Sequence, residues 1–125
     1  MAPIVMFQGV KHPCQSIEDF GIALDAFDME PLFELWLNEP EGRAMCMLRN
    51  GANAWLMYLR HNGDSGFATL GDMDRLETVS YQLSNGQTDE YPAAWCVPIE
   101  DCYKALTYFF VNHGLRPEWL TWQAI

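Results

Sequence analysis

Asn85-Gly86-Gln87-Thr88-Asp89-Glu90-Tyr91-Pro92, continuing through Val97-Pro98-Ile99-Glu100 to Gly114-Leu115-Arg116-Pro117-Glu118-Trp119-Leu120-Thr121-Trp122, decides how this chain is read. It spells a hairpin turn, an acidic tip, a capped helix and a short closing strand. Residues 77–84 lead into it with strict alternation. Val79, Tyr81 and Leu83 face one way, and Thr78, Ser80, Gln82 and Ser84 the other, as in a half-buried strand. Asn85-Gly86 then suits a two-residue type I′ turn, whose positive φ angles those residues tolerate. That turn pairs Ser84 with Gln87, Gln82 with Asp89 and Ser80 with Tyr91. Opposed residues share a face, so Asp89 and Tyr91 are expected on the outward polar side and Glu90 near the edge of the Tyr81 side. A bulge would invert this register.

Downstream, Pro98 takes the first helical position, and Glu100 and Asp101 complement the positive end of the helix dipole. Ile99, Cys102, Leu106, Phe109 and Phe110 form its buried stripe. Gly114 supplies a left-handed stop with Pro117 beyond it. A second helix starts at Ser16, which caps orphan N–H groups ahead of Glu18 and Asp19. Its stripe is Ile17, Phe20, Leu24 and Phe27, and Pro31 lies past its end.

Between the helices the period is strand-like. Leu32-Phe33-Glu34-Leu35-Trp36-Leu37, residues 43–49, residues 54–60 and residues 67–70 are separated by turn-rich stretches around Pro40-Glu41-Gly42, Asn50-Gly51 and residues 61–66. Short strands joined by short turns make an antiparallel meander. Within residues 43–49, Ala44, Cys46 and Leu48 share one face and Arg43, Met45, Met47 and Arg49 the other. The expected fold is α+β: one antiparallel sheet of about five to six strands, with an N-terminal and a C-terminal helix packed against it. Residues 1–125 read as a single domain, with no internal repeat or linker.

Composition narrows the function. A formal net charge of -10, from 17 Asp and Glu against 7 Lys and Arg, repels nucleic acid and anionic lipid and attracts cationic partners. No apolar run approaches the roughly 20 residues that cross a bilayer. The N-terminus lacks a secretory pattern, so a cytoplasmic address is expected. Cys14, Cys46, Cys96 and Cys102, with His12, His61 and His113, lack the paired spacing of a zinc site. No metal or other cofactor is expected, and the thiols read as reduced and buried.

Nothing in the chain resembles a catalytic set. It has no Gly-rich phosphate loop, no Gly-x-Ser-x-Gly elbow and no His-Glu-x-x-His. Asp89 and Glu90 are adjacent on a strand, so they point to opposite faces and cannot flank one substrate. Five tryptophans, at 36, 55, 95, 119 and 122, read mostly as core. Trp95 is the exception, because it sits in a polar connection beside acidic residues, where an exposed ring makes a binding hot spot.

The chain resembles the first-numbered immunity-protein family of bacterial polymorphic toxin systems. The resemblance rests on residues 83–92, on Val97-Pro98-Ile99-Glu100, on Gly114-Leu115-Arg116-Pro117 with residues 119–122, and on Arg43-Ala44-Met45. It implies an α+β inhibitor, not an enzyme, that binds a cognate toxin domain 1:1. Such toxins are delivered by contact-dependent or type VI machinery and often act on nucleic acid, as deaminases or nucleases. A toxin of that kind has a basic groove that an acidic protein can occupy. From the faces derived above, the toxin-binding residues are Asp72, Asp74, Glu77, Asp89, Glu90, Tyr91 and Trp95, with the Arg43–Met45–Met47–Arg49 face as the second candidate. An adaptor or chaperone for a basic peptide, or a small enzyme with a dispersed site, stays open as an alternative.

The cysteine reading predicts four free thiols when denatured, unreduced protein is titrated. Recovery of about two or fewer would contradict it.

Overall fold

Residues 44–48, Ala-Met-Cys-Met-Leu, are apolar on both sides of an alternating strand, so both faces must be covered. The computed structural model describes residues 2–125 and shows what covers them. The described residues form β1 (Ile4–Phe7), β2 (Val10–His12), α1 (Ile17–Phe27), β3 (Leu32–Asn38), β4 (Ala44–Asn50), β5 (Asn53–Leu59), β6 (Phe67–Thr69), β7 (Thr78–Gln82), β8 (Thr88–Pro92), α2 (Ile99–Val111) and β9 (Trp122–Ala124). Seven strands make one sheet in the order β2-β1-β3-β4-β5-β6-β9, and β7-β8 stand apart as a hairpin. Every pairing is antiparallel.

Both helices lie on one face of the sheet. Phe20, Leu24 and Phe27 of α1 and Cys102, Leu106 and Phe109 of α2 pack on Phe33, Leu35, Met45, Met47 and Leu56. Phe20 stacks on Phe110 at 4.9 Å to join the two helices. On the other face Cys46, Leu48, Trp55 and Ala68 are covered by Val79 and Tyr81 of the hairpin and by Ala93 of the short 3-10 turn Ala93–Trp95. The molecule is therefore a helix pair, a sheet and a hairpin in three layers. The α+β class is as read, with two differences: β1 and β2 enlarge the sheet, and β7 and β8 leave it to cover its face. No described helix is long and apolar enough to cross a membrane.

The helix ends follow their capping residues. Ser16 Oγ accepts from the Asp19 N–H at 3.1 Å. Gly114 takes φ 88° and closes α2 through its N–H to the Phe109 carbonyl. The closing strand is shorter than expected, Trp122–Ala124, and the Leu70 N–H to Thr121 carbonyl bond carries its pairing with β6 one step further.

The type I′ turn occurs at the opposite end of the chain from where it was expected. Gln8 and Gly9 have φ 52° and 77° and join Phe7 to its partner Val10. Gln8 tolerates this conformation because its side chain is tied to β3: Nε2 donates to the Leu32 carbonyl and Oε1 accepts from the Glu34 N–H. At the β7–β8 turn Gly86 alone has positive φ, so type I′, which needs two such residues, does not form. The ladder closes instead through Leu83 and Gln87, with a three-residue loop of Ser84, Asn85 and Gly86. Tyr81 therefore pairs with Asp89, Ser80 with Glu90 and Val79 with Tyr91. The expected register is off by one, which moves Asp89 and Tyr91 to the inward face and Glu90 outward.

The second candidate face is corrected as well. Met45 and Met47 are completely buried beneath the helices. Arg43 donates to the His113 carbonyl and Arg49 pairs with Asp28 at 2.8 Å, so both guanidiniums are spent on holding the helix ends.

Gly71 marks the tightest seam between the sheet and the layer above it. A Cβ there would lie 1.8 Å from the Cys96 carbonyl oxygen, while one at Gly21 in α1 would meet nothing within 4 Å. Gly71→Ala is expected to cost about 2 kcal/mol or more by forced backbone movement. Gly21→Ala should instead stabilise by up to about 1 kcal/mol through helix propensity. Urea unfolding midpoints of the two variants check both signs.

Candidate functional site

The expected toxin-binding residues divide into two groups. Asp72, Asp74 and Glu77 lie together on the loop of residues 71–77, and all three are exposed. The loop is heavily tied down. The Gly71 N–H donates to the Ala94 carbonyl at 2.7 Å, and the Ala93 N–H donates to the Glu77 carbonyl at 2.9 Å. Asp72 Oδ1 accepts from the Asp74 N–H at 2.9 Å, an Asx turn. The Arg75 guanidinium bridges Asn53 Oδ1 and Glu77 Oε2, each at 3.1 Å. Glu77 is held below the usual carboxylate range by its own backbone N–H and then by Arg75.

Two further residues on this loop escaped the sequence reading. Met73 is 61% exposed and Leu76 is 92% exposed. Both large apolar side chains project from the same ordered loop as the carboxylates. The alternation rule could not find them, because the stretch is neither strand nor helix. The available signal was an apolar residue between charged neighbours in Asp72-Met73-Asp74-Arg75-Leu76-Glu77.

Asp89, Tyr91 and Trp95 are not at the outer surface. Tyr91 and Trp95 are half-buried over Trp55, with ring centroids 4.8 Å and 5.0 Å from it. Trp95 also holds the sheet through its carbonyl, which accepts from Thr69 Oγ1 at 2.9 Å. Asp89 accepts from Gln87 Nε2 and from the Tyr91 hydroxyl. Burial, and then that bond to Asp89, push the Tyr91 phenol up to about 12. These residues form the aromatic footing on which the hairpin sits. Glu90 alone of the strand residues keeps an outward, exposed carboxylate, and it accepts from Thr78 Oγ1 at 2.9 Å. The tryptophan that does stand out in solvent is Trp119, 52% exposed, at the far edge of the sheet.

Glu34 is the third missed residue, and it explains the shifted register. From β3 it reaches across the sheet face to the hairpin: Oε1 accepts from both the N–H and the hydroxyl of Ser84, at 2.9 Å and 2.8 Å. Oε2 accepts from the Trp36 indole at 2.8 Å. With its N–H committed to Glu34, Ser84 drops out of the β7–β8 ladder. Burial works to raise the Glu34 pKa, but the bonds from the Ser84 N–H, the Trp36 indole and the Ser84 hydroxyl outweigh it and hold the carboxyl below its ordinary value.

The charge on this surface is mostly uncompensated. Asp28–Arg49, Arg60–Asp64 and Arg75–Glu77 are the ion pairs among the described residues, so most of the 17 carboxylates have no basic partner. Among the described residues no group of three or more His, Cys, Asp or Glu could hold a metal ion. The 71–77 loop thus presents exposed carboxylates beside exposed apolar side chains.

A family model described as immunity protein Imm1 matches residues 7–124. No curated protein matches the chain.

The depressed Glu34 pKa has a definite sign in stability. The unfolded chain binds a proton near 4.5 and the folded one only at lower pH, so the stabilisation is complete above about pH 5 and is lost as pH falls through the folded value. Glu34→Gln should therefore be less stable than the parent near neutral pH. The gap between them should narrow in acid, as read from unfolding midpoints between about pH 3 and 7.

Proposed function

The chain belongs to the Imm1 immunity-protein family, and on that footing we propose that it neutralises a toxin domain by seating the residue 71–77 loop in the toxin's basic substrate groove. The toxin in this reading acts on nucleic acid, as a deaminase or a nuclease, and is bound one to one in the cytoplasm of the cell that makes the inhibitor. The observation that carries it is the loop: Asp72, Asp74 and Glu77 exposed on a hydrogen-bonded frame, with Leu76 and Met73 projecting between them. A groove that grips phosphates is lined with Lys and Arg. Carboxylates on a preordered loop meet those cations with little entropy left to lose, and the two apolar side chains add contact that nucleic acid cannot match.

The two kinds of side chain have separable roles. Exposed carboxylates act at long range and govern encounter, whereas a desolvated apolar anchor governs escape. Reversal of Asp72 and Asp74 to Lys should slow association and flatten its salt dependence. Leu76→Ala should act mainly on dissociation, costing about 2 kcal/mol if it fills a pocket on the toxin. Binding of the toxin encoded beside this chain's gene, followed across a salt series, reads both effects. Wild-type rates in all these variants would place the contact surface elsewhere.

A further inference from the structure

Against the acidic balance of the chain, Arg116 stands without an ion-pair partner among the described residues. Where α2 ends and the chain turns back towards β9, a cleft of about 480 Å³ is lined by Tyr58, Arg60, Tyr108, Leu115, Arg116, Glu118 and Trp119. Arg116 is held there by ring faces: its guanidinium carbon lies 4.5 Å from the Phe67 centroid, 5.5 Å from Trp122 and 5.6 Å from Tyr58. The cage is rigid. Tyr58 donates its hydroxyl to the Gly114 carbonyl at 2.6 Å, and the Trp122 indole donates to the Pro117 carbonyl at 3.0 Å. Within it, Arg116 Nη1 is buried with no hydrogen-bond partner. Arg60 also sits over Phe67, at 4.9 Å, but its charge is matched by Asp64 through two short bonds. Glu118 lines the same cleft yet is not among the ion pairs of the described residues.

Arg116 is only partly buried, lines the open cleft and has no ion-pair partner among the described residues, so a carboxylate that meets the open part of its guanidinium gains a charge-assisted hydrogen bond. We propose that this cleft receives a single carboxylate of the bound toxin, with Arg116 as its receptor and Trp119 and Leu115 as an apolar collar. The collar favours a protein ligand: Trp119 is 52% and Leu115 46% exposed, and Trp and Arg dominate binding hot spots. The surrounding net charge of -10 disfavours a polyanion and leaves room for one isolated carboxylate. The Leu70 N–H donates to the Thr121 carbonyl at 2.9 Å, which links the segment carrying Trp119 to the start of the 71–77 loop. The cleft lies on the helix side of the sheet and the loop on the hairpin side, so one partner reaches both by wrapping the β6–β9 edge, and the carboxylate sets its register there. This inference rests on the chain binding a toxin domain.

The cleft is tested first without the toxin. Ac-Gly-Glu-Gly-NH2, its Gln counterpart, and Ac-Gly-Gln-Gly with a free C-terminus are titrated while the Arg116 Nε–H and Trp119 indole NMR signals are followed. Saturable shifts with the glutamate peptide assign a side-chain carboxylate, and shifts with the free acid assign a chain terminus. Equal responses to the glutamate and glutamine amides with none to the free acid, or tighter binding of inorganic phosphate, would overturn the proposal. Arg116→Gln should weaken carboxylate binding about tenfold or more, the scale of one charge-assisted hydrogen bond. Trp119→Ala, at a side chain 52% exposed, should weaken it while leaving thermal stability unchanged. Unaltered binding in both variants contradicts the site. With the adjacent toxin, Arg116→Gln should speed dissociation; an unchanged rate overturns the docking role. A wild-type chain that takes the carboxylate but no toxin supports the cleft and overturns the toxin reading instead.

Discussion

Through the middle of the sheet, Ala44 to Leu48 meet water on neither side: Met45 and Met47 lie beneath the helices, and Cys46 and Leu48 beneath the hairpin. A strand buried on both faces commits the chain to two covering layers. The helix pair supplies one from long amphipathic stripes. The hairpin is short, and a two-stranded unit is not stable alone, so it must be fastened. Glu34 fastens it at the turn through Ser84. The close approach of Gly71 to Cys96 fastens it at the other end, and Tyr91 and Trp95 on Trp55 fill the space between.

Those fastenings decide what remains for a partner. Aromatic residues that a binding surface would use are consumed in seating the hairpin, and Arg43 and Arg49 are consumed in holding the helices. In the proposed reading, recognition falls to the 71–77 loop, with its carboxylates, Leu76 and Met73, and to Arg116 beside Trp119. An ordered acidic loop and one isolated cation make a surface with both an attractive and a discriminating element. A toxin with the right groove but no matching acid gains from the first and loses at the second.

The elements were legible where local chemistry alone determines them. Ser16 and the Phe20–Leu24–Phe27 stripe gave α1, and Pro98 with Gly114 bounded α2. The hairpin's existence was legible from alternation, but its register was not. Asn85-Gly86 satisfies the type I′ rule, yet a carboxylate fifty residues away in sequence takes the Ser84 N–H and leaves a three-residue loop. The N-terminal hairpin was missed because Gln8 adopts positive φ only with the help of β3. Of the candidate site, Asp72, Asp74 and Glu77 were read from charge and are exposed. Asp89 and Tyr91 were misplaced by the register error and Trp95 by taking its polar connection as exposed, while Leu76 carries no periodic signal at all. Long-range hydrogen bonds and loop exposure are tertiary facts, and local pattern does not encode them.

The central claim is that the partner covers the 71–77 loop and the cleft beside the end of α2, and leaves α1 free. Hydrogen–deuterium exchange of the chain alone and in complex with its toxin tests this most directly. Protection confined to residues 70–78 and to the segment around Arg116 and Trp119, with α1 unchanged, is the predicted footprint. Protection centred on the groove between α1 and α2, with the 71–77 loop exchanging as in the free protein, would contradict the account.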